Sequence, residues 1–335
     1  MNTHAAQIAL LGPGSWGTAL GLQLCRNGHA VRLWGHEPEQ IAAMRQAGEN
    51  QRFLPGHPLP PSLQPTASLD AALDGATDCF VVVPSQAFRA VARQLAEQLP
   101  SGFGVAWATK GLDATSGQLL HTVAREELGD RPLAVVSGPS FAGEVARGLP
   151  TAVTVASDHP EFATRFAALL HGATFRAYTS PDLIGVEICG AAKNVLAIAT
   201  GIADGLGFGA NTRAALITRG LAELMRIGTA LGGRAETFTG LAGLGDLVLT
   251  CTDDQSRNRR LGLALARGQS VDAAKAEIGQ EVEGVITALA VQRLAQRLGV
   301  EMPISHQVYR VLYEGSSPAE ATRALLEREP KAEFG

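Results

Sequence analysis

The sequence predicts an α/β fold, a doubly wound sheet with helices on both faces, followed by an all-α C-terminal domain. Three observations carry this reading. Short apolar runs alternate with amphipathic stretches as far as about residue 180. A glycine-rich turn joins the first apolar run to a helical pattern. Beyond residue 181 the chain reads as helices and Gly-rich loops, with no convincing strand. Alternating strand and helix patterns indicate a parallel sheet, and strands covered on both faces read as continuous apolar runs. The expected domains are 1–180, which binds a dinucleotide, and 181–335, which supplies the catalytic and substrate groups.

Taken in order, the first strand is Gln7–Leu11. It runs into "GPGSWG", which sets Gly12, Gly14 and Gly17 in G-x-G-x-x-G register. The first glycine permits a tight turn, the second lets backbone approach a pyrophosphate, and the third lets the following helix pack close to the sheet. Between a strand and a helix, this motif points to a Rossmann-type dinucleotide site. The second strand is Ala30–Trp34. A carboxylate often follows it, accepting from the ribose 2′-OH and repelling a 2′-phosphate. Here the place reads Trp34-Gly35-His36, with Glu37 one position late, so NADP(H) is admitted as well as NAD(H).

The proline-rich segment Pro55–Pro65 is expected to be an irregular loop. Further strands are expected at Cys79–Val83, Val105–Ala108, Leu133–Val136, Thr151–Ala156 and Thr174–Tyr178, with an amphipathic helix at Ala87–Leu99. At "TSPDLIGVE" the texture changes. Ser180 suits an N-cap and Pro181 a first helical position, so the helical domain is expected to start there. The last residues, "EREPKAEFG", read as a solvated end.

Composition narrows the function. The chain has 335 residues, enough for two domains, and its 46% apolar content supports a sizeable core. A net charge of −4 leaves no basic footprint for nucleic acid. Cys25, Cys79, Cys189 and Cys251 are widely spaced, without a CxxC or Cys/His cluster, so neither a metal site nor a disulfide framework is expected. No signal peptide is read at the N-terminus, and Lys193 and Asp204 interrupt the longest apolar stretch. The expectation is a cytoplasmic protein with no membrane span.

Ligands of doubly wound sheets bind outside the carboxyl ends of the strands. Two sequences there carry polar groups. "WATKGL" places Lys110 at one strand exit, and "VSGPSFAGE" places Gly138 and Ser140 at another. In the helical half, "GVEICGAAKNVLAIATGIADG" sets Lys193 and Asn194 beside Gly190, Ala191 and Ala192. A lysine buried among such residues has its pKa lowered toward the range useful for proton transfer. The alternative is a surface lysine that snorkels to water. Asp246 follows a run of glycines and either caps a helix or orients a lysine. Ser256, Arg257 and Asn258 bring a hydroxyl, a guanidinium and an amide to a helix start. They make either an anion site or an ordinary exposed basic helix end.

Together "IALLGPGSWGTAL", "VVVPS", "WATKGL", "SGPSFA", "GAAKNVLAIATGIADGLGFGANTRAALITRGLAE" and "GLAGLGDLVLTCTDDQSRNRRLG" resemble, in order, the motifs of NAD(P)-dependent glycerol-3-phosphate dehydrogenases of the bacterial type. The resemblance implies a Rossmann domain followed by a 6-phosphogluconate dehydrogenase C-terminal-like helical domain. It implies reversible reduction of dihydroxyacetone phosphate to sn-glycerol 3-phosphate for glycerophospholipid synthesis, with a homodimer by analogy. Lys193 matches the catalytic lysine, the proton acceptor in oxidation. Lys110, Gly138, Ser140, Asp246, Ser256, Arg257 and Asn258 match the substrate site. Ser15, Trp16, His36, Lys110, Ala142 and Arg257 match cofactor contacts, and "IGQEVEGV" adds Glu281 and Glu283. Trp16 stands where Tyr or Phe is commoner, and Glu281 where relatives usually carry an apolar residue. Two other readings stay open at this point. One is a β-hydroxyacid dehydrogenase or ketopantoate-type reductase, which would not require the Ser-Arg-Asn site. The other is a dinucleotide-sensing protein without turnover.

Overall fold

The computed structural model describes residues 5–329, 332 and 333; part of the expected solvated end therefore lies outside the described residues. Among them the strands are β1 Gln7–Leu11, β2 Ala30–Trp34, β3 Glu49–Asn50, β4 Leu54–Pro58, β5 Leu63–Thr66, β6 Asp78–Val81, β7 Val105–Trp107, β8 Leu133–Ser137, β9 Thr151–Ala156 and β10 Phe175–Ser180. Eight of them form one sheet in the order β10-β9-β8-β7-β6-β1-β2-β5. Alternate residues of β1 serve opposite faces, as a strand's two-residue period requires. Ile8 and Leu10 join one apolar layer with Leu33 and Phe80, while Ala9 and Leu11 join the other with Cys79 and Trp107.

The sheet departs from the expected parallel arrangement at one place. β8 and β9 are antiparallel, so β9 and β10 run against the remaining strands. Their connection holds only the five-residue helix Ala142–Ala146. Such a helix rises about 7 Å, too little to return the chain along a strand of roughly 16 Å. β9 therefore starts where β8 ends.

The segment Pro55–Pro65 is also not an irregular loop. β3 and β4 make a small hairpin, and β5 is an edge strand of the main sheet. Its prolines conceal it. Pro65 lies in β5, which pairs with β2 alone, so its missing N–H costs no ladder bond on the far side. At the start of the helical half, Ser180 ends β10 rather than capping a helix. The cap is Asp182, whose carboxylate accepts from Gly185 N at 2.9 Å, Arg234 N at 2.8 Å and Thr237 Oγ1 at 2.5 Å.

After Ser180 the described residues form helices and no strand. Helix Leu183–Gly205 is their axis and is buried along nearly its whole length. Among the described residues it alone is long and apolar enough to cross a membrane, yet it is packed inside the protein. Glycines let helix Arg257–Ala266 lie directly on it. A Cβ at Gly201 would come 2.2 Å from Arg259 O, and one at Gly262 would come 2.2 Å from Ile198 O. Gly201→Ala gains about 1 kcal/mol of helix propensity, but its methyl meets a helix backbone that cannot rotate away. A net loss of roughly 1–3 kcal/mol is expected from overpacking, read by denaturant unfolding. Unchanged stability would contradict this contact.

Candidate active site

The site is assembled at the carboxyl ends of neighbouring strands, where a parallel sheet exposes its loops. Gly12 follows β1, Val82 and Val83 follow β6, Lys110 follows β7, and Gly138 follows β8. Gly12 has φ 116°, and a Cβ there would lie 2.5 Å from Val82 O. Thr109 Oγ1 in turn donates to Val83 O at 2.8 Å, tying the Lys110 loop to the same strand end.

The glycine turn fits a dinucleotide on its own geometry. A Cβ at Gly17 would come 1.9 Å from Gly12 O, so the helix sits hard against the turn. Gly14, by contrast, has no atom within 4 Å of its missing Cβ, which leaves the approach open for a pyrophosphate. Helix Ser15–Arg26 has no side-chain cap, so its first N–H groups remain available to an anion. The Trp16 indole packs on the neighbouring core, with Nε1 buried and unpaired. His36 is exposed just past β2.

Lys193 is not a surface lysine. It is buried, and its ammonium donates to Asp246 Oδ1 and to Thr250 Oγ1, the latter at 2.9 Å. Lys110 Nζ donates to the other carboxylate oxygen, Asp246 Oδ2, at 2.7 Å and to Gly138 O at 3.2 Å. One carboxylate thus holds two ammonium groups, one from each half of the chain. Asp246 begins helix Asp246–Thr252, which continues directly from the π-helical turn Leu241–Gly245. Burial lowers the Lys193 pKa to about 7; Asp246 opposes the shift and Lys110 adds to it. Burial would raise the Asp246 carboxyl, but Lys110 and Lys193 hold it below its ordinary value.

The small residues beside Lys193 make this closeness possible. A Cβ at Gly190 would come 2.9 Å from Ser137 Oγ and 3.6 Å from Lys110 Cγ. Ser140 Oγ donates to Gly138 O at 3.0 Å, joining it to the lysine cluster. Ala142 starts the short helix beyond, packed against the sheet core.

The Ser256–Asn258 stretch is a helix start, as expected, but two of its side chains are already engaged. Ser256 caps helix Arg257–Ala266 by accepting from Arg259 N at 3.2 Å. Asn258 donates to Asn194 Oδ1 at 2.9 Å and accepts from Gly284 N at 2.9 Å. Arg257 differs: among the described residues its guanidinium has no hydrogen bond or ion pair. Burial lowers its pKa, with Glu283 and Glu281 opposing and Arg260 reinforcing. Glu283 is itself tied to the start of helix Ser85–Gln98, accepting from Ser85 N at 3.2 Å and Ser85 Oγ at 2.7 Å. Glu281 accepts from Gln86 at 3.3 Å. Arg257 is therefore a part-buried cation whose guanidinium donors are unspent among the described residues.

Sequence reasoning missed several contributors. Thr250 lies one turn beyond Asp246, and only that spacing hinted at it. Arg259 pairs with Asp204 and, at 2.9 Å, with Asp254, which fixes the loop before Ser256. Asn50 is fully buried and donates to Pro13 O at 2.8 Å, inside the glycine turn.

Comparison with known proteins agrees with this arrangement. Residues 7–163 match the model for the N-terminus of NAD-dependent glycerol-3-phosphate dehydrogenase, and residues 182–323 match its C-terminus. A relative from Thioalkalivibrio sulfidiphilus, called glycerol-3-phosphate dehydrogenase [NAD(P)+], is 62% identical over 98% of this chain and 98% of its own. One of the same name from Stenotrophomonas maltophilia is 57% identical over 100% of this chain and 98% of its own. The crystal structure of glycerol-3-phosphate dehydrogenase from Coxiella burnetii superposes with a TM-score of 0.94 at 51% identity, covering 97% of this chain and 99% of that one. With both halves of one family matched in order and full-length relatives sharing more than half their residues with it, this chain belongs to the NAD-dependent glycerol-3-phosphate dehydrogenase family.

Proposed function

We propose that this protein reversibly reduces dihydroxyacetone phosphate to sn-glycerol 3-phosphate with NAD(P)H. The observation that carries the reading is the buried Lys193 held by Asp246, with its pKa lowered by burial to about 7. Such a group gives up and takes back a proton near neutral pH. The reduced nicotinamide, when bound, supplies the hydride. Lys193 then donates a proton to the carbonyl oxygen in reduction and accepts it in oxidation. Lys110, on the same carboxylate, places a second positive charge beside the oxygen where negative charge develops. Gly12, Gly14, Ser15, Trp16, Gly17, His36 and Ala142 hold the dinucleotide, and Glu281 and Glu283 close its far side. Gly138, Ser140, Ser256 and Asn258 shape the substrate site, the last two through backbone they hold in place.

On this reading residues 1–180 bind the cofactor and residues 181–335 supply the acid and the phosphate anchor. The enzyme works in the cytoplasm as a homodimer, its product feeds glycerophospholipid synthesis, and neither nucleic acid nor a bilayer takes part. Initial rates with dihydroxyacetone phosphate, using NADPH and NADH in turn, test the activity. Absence of ketone-dependent oxidation of either cofactor would refute it.

Arg257 is assigned to the substrate phosphate. Arg257→Ala loses a charge-assisted contact worth roughly 1.5–3 kcal/mol, so kcat/KM for dihydroxyacetone phosphate falls about 10- to 150-fold. KM rises and kcat falls together, because the phosphate also positions the carbonyl. Unphosphorylated dihydroxyacetone, a poor substrate, is affected much less. NADPH affinity is measured separately, since the guanidinium lies close to the proposed cofactor. Equal losses for both ketones after that correction would remove Arg257 from the phosphate site.

A further inference from the structure

The hairpin concealed by the prolines brings an ion pair to the mouth of the glycine turn. β2 ends at Trp34, and Gly35 N is taken by Thr66 O at 3.0 Å. His36 and Glu37 are the first side chains beyond. Glu37 occupies the N-cap position of helix Pro38–Ala47 but makes no side-chain cap bond. Its carboxylate instead accepts from Arg52 Nη1 at 2.7 Å, and His36 Nε2 lies 3.9 Å from its other oxygen. The Arg52 guanidinium rests over the Phe53 ring, 4.8 Å from its centroid.

Both partners are placed from the turn itself. Asn50, two residues before Arg52, donates to Pro13 O at 2.8 Å and to Thr18 Oγ1 at 2.8 Å. Gln40, on the helix that Glu37 begins, donates to the same Pro13 O at 3.1 Å. Pro13 stands between Gly12 and Gly14, where the pyrophosphate is expected. The Glu37–Arg52 pair therefore faces the region just past β2, where the adenosine ribose of a dinucleotide lies.

The chemistry of that ribose discriminates two cofactors. A 2′-hydroxyl donates to a carboxylate, whereas a 2′-phosphate carries about −1.5 to −2 charges and is repelled by one. Glu37 alone would exclude the phosphate. Paired with a guanidinium, it no longer presents an uncompensated charge, and the guanidinium offers donors in the fork geometry that suits phosphate.

We infer that Arg52 reads the 2′-phosphate of NADP(H), and that its exchange between Glu37 and that phosphate lets one site accept both cofactors. This rests on the dinucleotide-binding reading of the glycine turn. The side chains of Arg52 and Glu37 are 58% and 44% exposed, so the contact is screened by solvent and salt.

The test is equilibrium binding of NADPH and of NADH to the purified protein by titration calorimetry, without substrate. Arg52→Ala weakens NADPH about tenfold, the low end for a charge-assisted bond at an exposed site. It changes NADH by less than about twofold. The NADPH difference between wild type and variant narrows as salt is raised. Glu37→Gln weakens NADH and leaves NADPH as tight or tighter. The folding control is NADH binding in Arg52→Ala and NADPH binding in Glu37→Gln, the cofactor each variant is expected to keep. If wild type binds neither dinucleotide, the reading of the turn fails. If it binds both and Arg52→Ala leaves their affinity ratio unchanged, only the Arg52 assignment is overturned.

Discussion

Lys193→Met lowers kcat for ketone reduction by about 10²–10⁴-fold, the usual contribution of a positioned acid or base, while NADPH binding is retained. Methionine fills the lysine's volume, and Lys110 remains to pair Asp246, so no carboxylate is left without a partner. The pH profile carries the sharper signature. Reduction needs the ammonium form of Lys193, so its kcat/KM is level below about 7 and falls as pH rises through that value. Oxidation needs the neutral amine, so its rate rises through the same pH and then levels. The variant loses both limbs. Stability moves in the opposite sense. The folded-state pKa of Lys193 lies below the ordinary 10.5, so the native state binds protons less readily than the unfolded chain. The resulting penalty is full below about 7 and is relieved as pH rises toward 10.5. Lys193→Met removes it and unfolds no earlier than wild type at neutral pH. A variant that keeps wild-type kcat, or keeps the limb near 7, excludes Lys193 as the proton donor.

Local chemistry made much of this legible in the sequence, and long-range geometry accounts for what was not. The glycine turn could be read because each glycine answers a steric demand, and Gly12 and Gly17 meet backbone oxygens in the fold. The burial of Lys193 could be read from its Gly-Ala-Ala neighbours. Asp246, 53 residues away, could be read only as one of two alternatives, a helix cap or a group that orients a lysine, and nothing local showed that Lys110 reaches the same carboxylate across 136 residues. Hydrophobic pattern locates a strand without giving its direction, which is why the reversal at β9 was hidden. Pro65 disguised β5, since an edge strand tolerates what an interior strand does not. Ser180 had the chemistry of a cap, but β10 runs two residues further than the pattern indicated, and Asp182 takes the role. Ser256 and Asn258 were expected to point at a ligand; the helix cap and the Asn194–Gly284 bridge already use their side chains. That leaves Arg257 as the group in this stretch with capacity for an anion.

Asp246→Asn removes the charge that both lysines share, and its effects on activity and stability carry different signs with pH. The carboxylate raises the Lys193 pKa against the effect of burial. Without it, burial and the neighbouring Lys110 act unopposed, so the descending limb of ketone reduction moves below pH 7. At neutral pH less of the enzyme then holds the donor form. The ammonium also loses the anchor that aims it, leaving Thr250 Oγ1, at 2.9 Å, as its remaining hydrogen-bond partner. Misplacement of about 1 Å can cost about 10²-fold, so kcat falls by at least that factor across the accessible pH range. Breaking a buried ion pair from one side costs roughly 3–5 kcal/mol. Here the loss is greatest at low pH, where Lys193 must be charged, and shrinks as pH rises and the amine sheds its proton. Lys110 is less confined, with its side chain 19% exposed, and can turn toward water. The double variant Asp246→Asn with Lys193→Met therefore recovers stability without recovering turnover. Denaturant unfolding from pH 6 to 9 and the reduction profile over the same range read the two effects separately. If the limb stays near 7 in Asp246→Asn, the carboxylate orients Lys193 without setting its proton affinity. If stability is also independent of pH, the buried pair is not the electrostatic centre of this site.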